Sequence, residues 1–88
     1  MSQAESLERF PCLYTFKIFG RRSDEFVAQV QTLIAATLGP LLPEAVTVRE
    51  SSQGRYLSVT VSVTVDSRSQ LEQVYADLRA DPRVLFYI

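Results

Sequence analysis

The chain has no histidine and no tryptophan, and only one cysteine and three glycines among its 88 residues. Without histidine it lacks the commonest general base near neutral pH and the commonest zinc ligand. A lone thiol, Cys12, forms no intrachain disulfide. With no histidine to activate it, it reads as a small apolar residue, not a nucleophile. No apolar run reaches the ~20 residues of a membrane-spanning helix, and the N-terminal MSQAESLERF has no signal-peptide character. A strong charge of one sign is also missing, since nine basic groups meet ten acidic ones for a net charge of -1. A general nucleic-acid binder needs a basic surface to displace counterions. The expectation is a cytoplasmic domain with no metal, no cofactor, no nucleic-acid partner and no membrane partner.

What the chain does have is one unbroken alternation. In Tyr56–Val65, Leu57, Val59, Val61, Val63 and Val65 alternate with Tyr56, Ser58, Thr60, Ser62 and Thr64. That is the period of a strand with one face in a core and the other near water. With no Pro or Gly inside, it is expected in the middle of its sheet.

The remaining elements arrange around it. Residues 1–9 lack periodicity and read as a loose lead-in to a single domain spanning 1–88. A first strand is predicted over Leu13–Phe19, with Tyr14, Phe16 and Ile18 inward and Lys17 on the open side. Gly20-Arg21-Arg22 is a turn. Ser23 is placed as a helix N-cap, followed by Asp24 and Glu25 at the positive end of the dipole. The helix runs to about Leu38 on a stripe of Phe26, Val30, Leu33 and Ile34, and Gly39-Pro40 ends it. A second strand, Ala45–Glu50, turns through Ser51–Gly54 into Tyr56–Val65. A two- or four-residue loop keeps apolar residues facing apolar ones. It is expected to place Val48 opposite Leu57, Val46 opposite Val59, and Arg49 beside Tyr56. Ser67 with Gln70 fits a capping box for a second helix bearing Leu71, Val74, Tyr75 and Leu78. Asp81-Pro82 stops that helix. The last strand, Arg83–Ile88, is expected to turn Val84, Phe86 and Ile88 inward and Leu85 and Tyr87 outward.

Single-striped helices and single-faced strands in the order β-α-β-β-α-β predict a ferredoxin-like α+β two-layer sandwich. Its antiparallel sheet has order 4-1-3-2 and both helices lie on one face. The other face is open and mixed. Three uses compete for it and for the loops beside it. RNA-recognition motifs share the topology but stack bases on aromatic residues of the third strand, where this chain has Ser58, Thr60 and Ser62. Regulatory domains of the ACT kind share it too, and hold a small effector where the first strand meets the first helix. Here that corner is Gly20, Arg21, Arg22 and Ser23, with free amides and two guanidinium groups suited to a small anion. A third use is a protein partner or a homodimer on the open face, with Lys17, Phe19, Arg49, Tyr56 and Tyr87 as contact candidates. No residue is assigned a catalytic role, because the carboxylates fall at element ends and exposed faces.

Three stretches carry a resemblance: FPCLYTFKIFG at Phe10–Gly20, SSQGRY at Ser51–Tyr56 followed by SVTVSVTV, and LEQVYADL at Leu71–Leu78. They resemble the small bacterial proteins of the YbeD type, from Phe10 to Ile88. The motif positions are Phe10, Pro11, Lys17, Gly20, Ser51, Ser52, Gly54 and Tyr56, while Arg21-Arg22 and Leu38–Pro43 depart from the pattern. The resemblance implies an ACT-like regulatory fold, similar to the regulatory domain of phosphoglycerate dehydrogenase. It also implies a link to lipoate metabolism, because genes of this family often lie beside the lipoyl transferase gene.

Overall fold

A computed structural model of the chain describes residues 9–88. The expected loose lead-in falls almost wholly on residues 1–8, outside the described residues. Six elements follow in the expected order: β1 (Cys12–Arg21), α1 (Phe26–Leu38), β2 (Val46–Glu50), β3 (Tyr56–Val65), α2 (Arg68–Ala80) and β4 (Val84–Tyr87). A single 3-10 turn, Pro43–Ala45, precedes β2. The sheet order is β2-β3-β1-β4, the expected 4-1-3-2 read from the other edge. Every pairing is antiparallel.

β3 sits centrally, as its alternation requires. Leu57, Val59, Val61 and Val65 are buried, while Tyr56 and Thr64 on the other face are exposed. β1 is longer than the expected Leu13–Phe19. Its ladder with β3 runs unbroken from Cys12↔Val65 to Arg21↔Tyr56, so Gly20 and Arg21 continue the strand instead of turning. The core joins Phe16 and Ile18 of β1 and the β3 valines to Phe26, Val30 and Ile34 of α1 and Leu71, Val74 and Leu78 of α2. Both helices therefore cover the same face of the sheet. Each side chain so buried contributes about 1.5–3 kcal/mol relative to exposure.

The helix ends follow local chemistry. The Ser23 hydroxyl accepts from the Phe26 amide at 3.1 Å. Asp24 and Glu25 form a turn ahead of the helix, which starts two residues later than a cap at Ser23 would give. At the far end Gly39 takes φ 92° and its N–H bonds to Ala35 O at 2.8 Å. For α2, Ser67 Oγ accepts from the Gln70 amide at 3.2 Å, and Gln70 Oε1 accepts from the Asp66 amide at 2.8 Å. Two amides ahead of the first closed turn are thus satisfied reciprocally.

Two registers differ from expectation. In the β2–β3 hairpin Val48 lies opposite Val59, Val46 opposite Val61 and Arg49 opposite Ser58, two residues along from the expected pairing. The parity is kept, but the four-residue loop is Ser52–Arg55 instead of Ser51–Gly54. Ser51 N–H bonds to Tyr56 O at 3.0 Å, and Ser51 Oγ accepts from the amides of Arg55 and Tyr56 at 3.2 Å each. A two-residue loop would need left-handed backbone at Ser52 or Gln53. Only Gly54, at φ 71°, supplies it.

The second difference is in β4. Ile18 pairs with Tyr87 and Phe19 with Phe86, but Gly20 pairs with Val84, so Leu85 is an extra residue. One extra residue reverses parity for everything beyond it. Tyr87, expected outward, turns toward the helices, and its ring lies 5.6 Å from that of Tyr75. Phe86 and Ile88, expected inward, face the open side.

That inward turn completes an aromatic cluster of Tyr14, Phe16, Tyr75 and Tyr87. Burial, with Tyr14 hydrogen-bonded beside it and Tyr87 close by, pushes the Tyr75 phenol well above its usual value near 10. Below that value both folded and unfolded chains hold the proton. Above it the unfolded chain releases the proton first, so stability falls as pH rises from about 10 toward the folded pKa. Thermal midpoints measured from pH 8 to 11 are expected to decline less steeply for Tyr75→Phe than for the wild type. Parallel declines would show that Tyr75 contributes nothing to the alkaline limit.

Candidate functional site: the open sheet face

The corner between β1 and α1 is packed, not vacant. Gly20 is buried, and a Cβ there would collide with the Phe26 ring and stand 2.7 Å from Arg83 O. Its missing side chain is therefore room for Phe26. Arg22 turns away toward the hairpin, its N–H bonded to Arg55 O at 2.8 Å and its Nε to Glu50 Oε2 at 3.1 Å. The Phe26 amide at the helix start is taken by Ser23. Arg21 and Ser23 remain together, lining with Phe26, Pro82, Arg83 and Leu85 a cavity of about 260 Å³. The four expected corner residues thus separate into a packing position, a hairpin tie and two cavity residues.

The open face brings more of the expected residues together. Phe19, Ser58 and Arg49 lie in one row across β1, β3 and β2, and Lys17, Thr60 and Thr47 lie in the next. At the hairpin end Phe19, Arg49, Tyr56 and Ser58 line a cleft of about 270 Å³, with Glu50, Ser51 and Leu57 at its edge. Beside it the Phe19 and Phe86 rings pack at 5.6 Å. Phe86 and Ile88 are each 57% exposed and Tyr56 42%, though nothing else in the described chain covers them. Further along, Thr15 and Ser62 share a hydrogen bond of 3.0 Å. Of the five contact candidates, Tyr87 alone is on the other side, and Leu85, also expected outward, is the bulge residue beside the corner cavity. Phe86 and Ile88 take their place, and no residue preference in the sequence announces that exchange.

The face offers one ammonium, guanidinium groups, hydroxyls and aromatic surfaces. These are groups for recognition. Among the described residues, no group of three or more His, Cys, Asp or Glu side chains is placed to hold a metal, and no helix is long and apolar enough to cross a membrane.

A family model for DUF493, described as proteins of unknown function, matches residues 5–88. The chain belongs to the DUF493 family. Relatives of this DUF493 chain include a UPF0250 protein of Chromobacterium violaceum, 39% identical over 93% of this chain and 92% of that protein. A UPF0250 protein of Pseudomonas paraeruginosa is 40% identical over 85% of this chain and 82% of its own length. The YbeD-type resemblance is thereby supported across the domain. Among solved structures, protein HP0495 from H. pylori superposes with a TM-score of 0.72 at 15% identity, covering all of this DUF493 chain and 96% of that one. The ACT domain of GTP pyrophosphokinase from Chlorobium tepidum superposes with a TM-score of 0.59 at 14% identity, over 88% of this chain and 83% of that one. At such identities the likeness is one of fold, and the fold is ACT-like.

Proposed function

We propose that this DUF493 chain is a small ACT-like regulatory module that acts by binding and not by catalysis, with a protein partner seated on the open sheet face. The observation that carries this reading is the exposed apolar surface of Phe86, Ile88 and Tyr56 around the half-buried Phe19 ring. Contiguous exposed apolar surface of this kind, rimmed by polar groups, marks interaction sites. Enzymes that make or attach lipoyl groups are the first partners to try, on the strength of the family's gene neighbourhood.

The test compares tagged wild-type chain with Phe86→Ser for capture of proteins from a native bacterial cytoplasm. Phe86 is more than half exposed and packs only on Phe19 among the rings, so its loss costs about 1 kcal/mol and leaves the domain folded. A protein recovered by the wild type and lost with the variant supports the reading. Equal recovery, or none, overturns it. A wild-type dimer in sedimentation that Phe86→Ser dissociates would instead identify a second copy as the occupant.

A second reading is favoured by one observation, the cavity of about 260 Å³ that keeps Arg21 and Ser23 together. A small carboxylate or phosphate would be its ligand. Amide shifts at Arg21, Ser23 and Leu85 on adding amino acids or inorganic phosphate would support it, and unmoved signals would end it.

A further inference from the structure

Charges on the open face narrow the kind of partner, a step that rests on that face being the binding surface. The chain as a whole is slightly acidic, with a net charge of -1. Its open-face positions are not. Lys17 and Arg49 stand there, Arg21 shares their parity at the end of β1, and the sole strand carboxylate, Glu50, has the parity of the helix-covered side and is tied to Arg22. Arg22, Arg68 and Arg83, all off this face, each have a carboxylate partner. Lys17 and Arg49 have no side-chain hydrogen bond or ion pair among the described residues. Strands about 4.8 Å apart and residues about 3.3 Å apart along them put the two cations' backbones roughly 12 Å from each other. The cleft of about 270 Å³ opens beside Arg49, between Phe19 and Tyr56, and the one carboxylate in its lining, Glu50, is neutralised by Arg22. Open on the sheet face between two rings, it has room for an apolar side chain.

We infer that the open face takes an acidic, aromatic- or leucine-bearing protein segment. One carboxylate meets the Arg49 fork, an apolar side chain enters the cleft between Phe19 and Tyr56, and a second carboxylate meets Lys17. A guanidinium fork matches a carboxylate in two parallel hydrogen bonds. Unpaired cations at a rim steer an acidic partner and discriminate against a basic one. RNA shares the negative charge, but the middle of the face offers hydroxyls of Thr15, Ser58, Thr60 and Ser62 where stacked bases need rings.

The test is titration of the isotopically labelled full chain, at low salt, with a short synthetic peptide alternating glutamate with leucine and phenylalanine. The same peptide with lysine for glutamate, and an oligouridine, are titrated in parallel. Amide shifts at Phe19, Arg49, Tyr56 and Ser58 are expected with the acidic peptide alone. Arg49→Glu or Lys17→Glu is expected to weaken that binding by about tenfold, and added salt to weaken it further. Each variant's own amide spectrum shows that it is folded. An equal response to the lysine peptide, a response to oligouridine alone, or no response to any probe overturns the inference. If Phe86→Ser abolishes capture of a cytoplasmic protein while both charge reversals leave it intact, the open face stands as the binding surface and the acidic partner falls.

Discussion

Gly20→Ala is expected to destabilise the domain by about 2–3 kcal/mol, toward the upper end of over-packing effects. The new methyl would meet the Phe26 ring on one side and Arg83 O on the other. The ring can shift only by disturbing a residue that is 1% exposed, and the carbonyl belongs to backbone leading into β4. For a domain of this size the thermal midpoint would drop by roughly 10–20 °C. In a Phe26→Leu background the same substitution should cost less, about 1–2 kcal/mol, because the ring is gone while Arg83 O still stands 2.7 Å from the new methyl. A Gly20→Ala midpoint within about 2 °C of the wild type would show that the glycine is not there for packing. Ligand approach at the corner would then regain ground.

Phe16→Ala is the other large effect, about 3–5 kcal/mol. Phe16 is 0% exposed, pairs with Val61 at the centre of the sheet, and packs its ring 5.2 Å from Tyr14 and 5.5 Å from Tyr75. Domains of this length hold only about 0.05–0.15 kcal/mol per residue, so a loss of that size removes much of the total. Urea unfolding should show a lower midpoint with little change in slope. The same truncation at Phe86, on the other face of the same sheet, should cost only about 1 kcal/mol, the size of its ring contact with Phe19. Similar losses at the two positions would contradict the assignment of sheet faces, and the binding surface with it.

The open face shows where residue patterns suffice. Phe19, Arg49 and Tyr56 were legible as sharing one face, because the opposite positions of their strands hold Phe16 and Ile18, Val46 and Val48, and Leu57 to Val65. Period-two alternation then fixes the face. Val84, Leu85, Phe86, Tyr87 and Ile88 are apolar or aromatic throughout, so either parity satisfies the pattern. The bulge at Leu85 decides it, and Tyr87 gains the Tyr75 ring while Phe86 is left outside. Arg22 was legible as a cation beside a helix start. Its partner Glu50 is 28 residues away and comes within reach only because the hairpin lies against the end of β1.

By itself, then, the order of residues determined the six elements, the Gly39 and Ser67 caps, the central position of β3 and the side on which both helices lie. Each of those follows from hydrophobic period, cap chemistry or the handedness of connections, all of which act over short stretches. Tertiary structure alone decided the hairpin register, the inversion of β4, the filling of the Gly20 corner by Phe26, and hence which rings and cations share the open face. Those depend on contacts between segments far apart in the chain, where one extra residue or one missing Cβ changes which side chains meet.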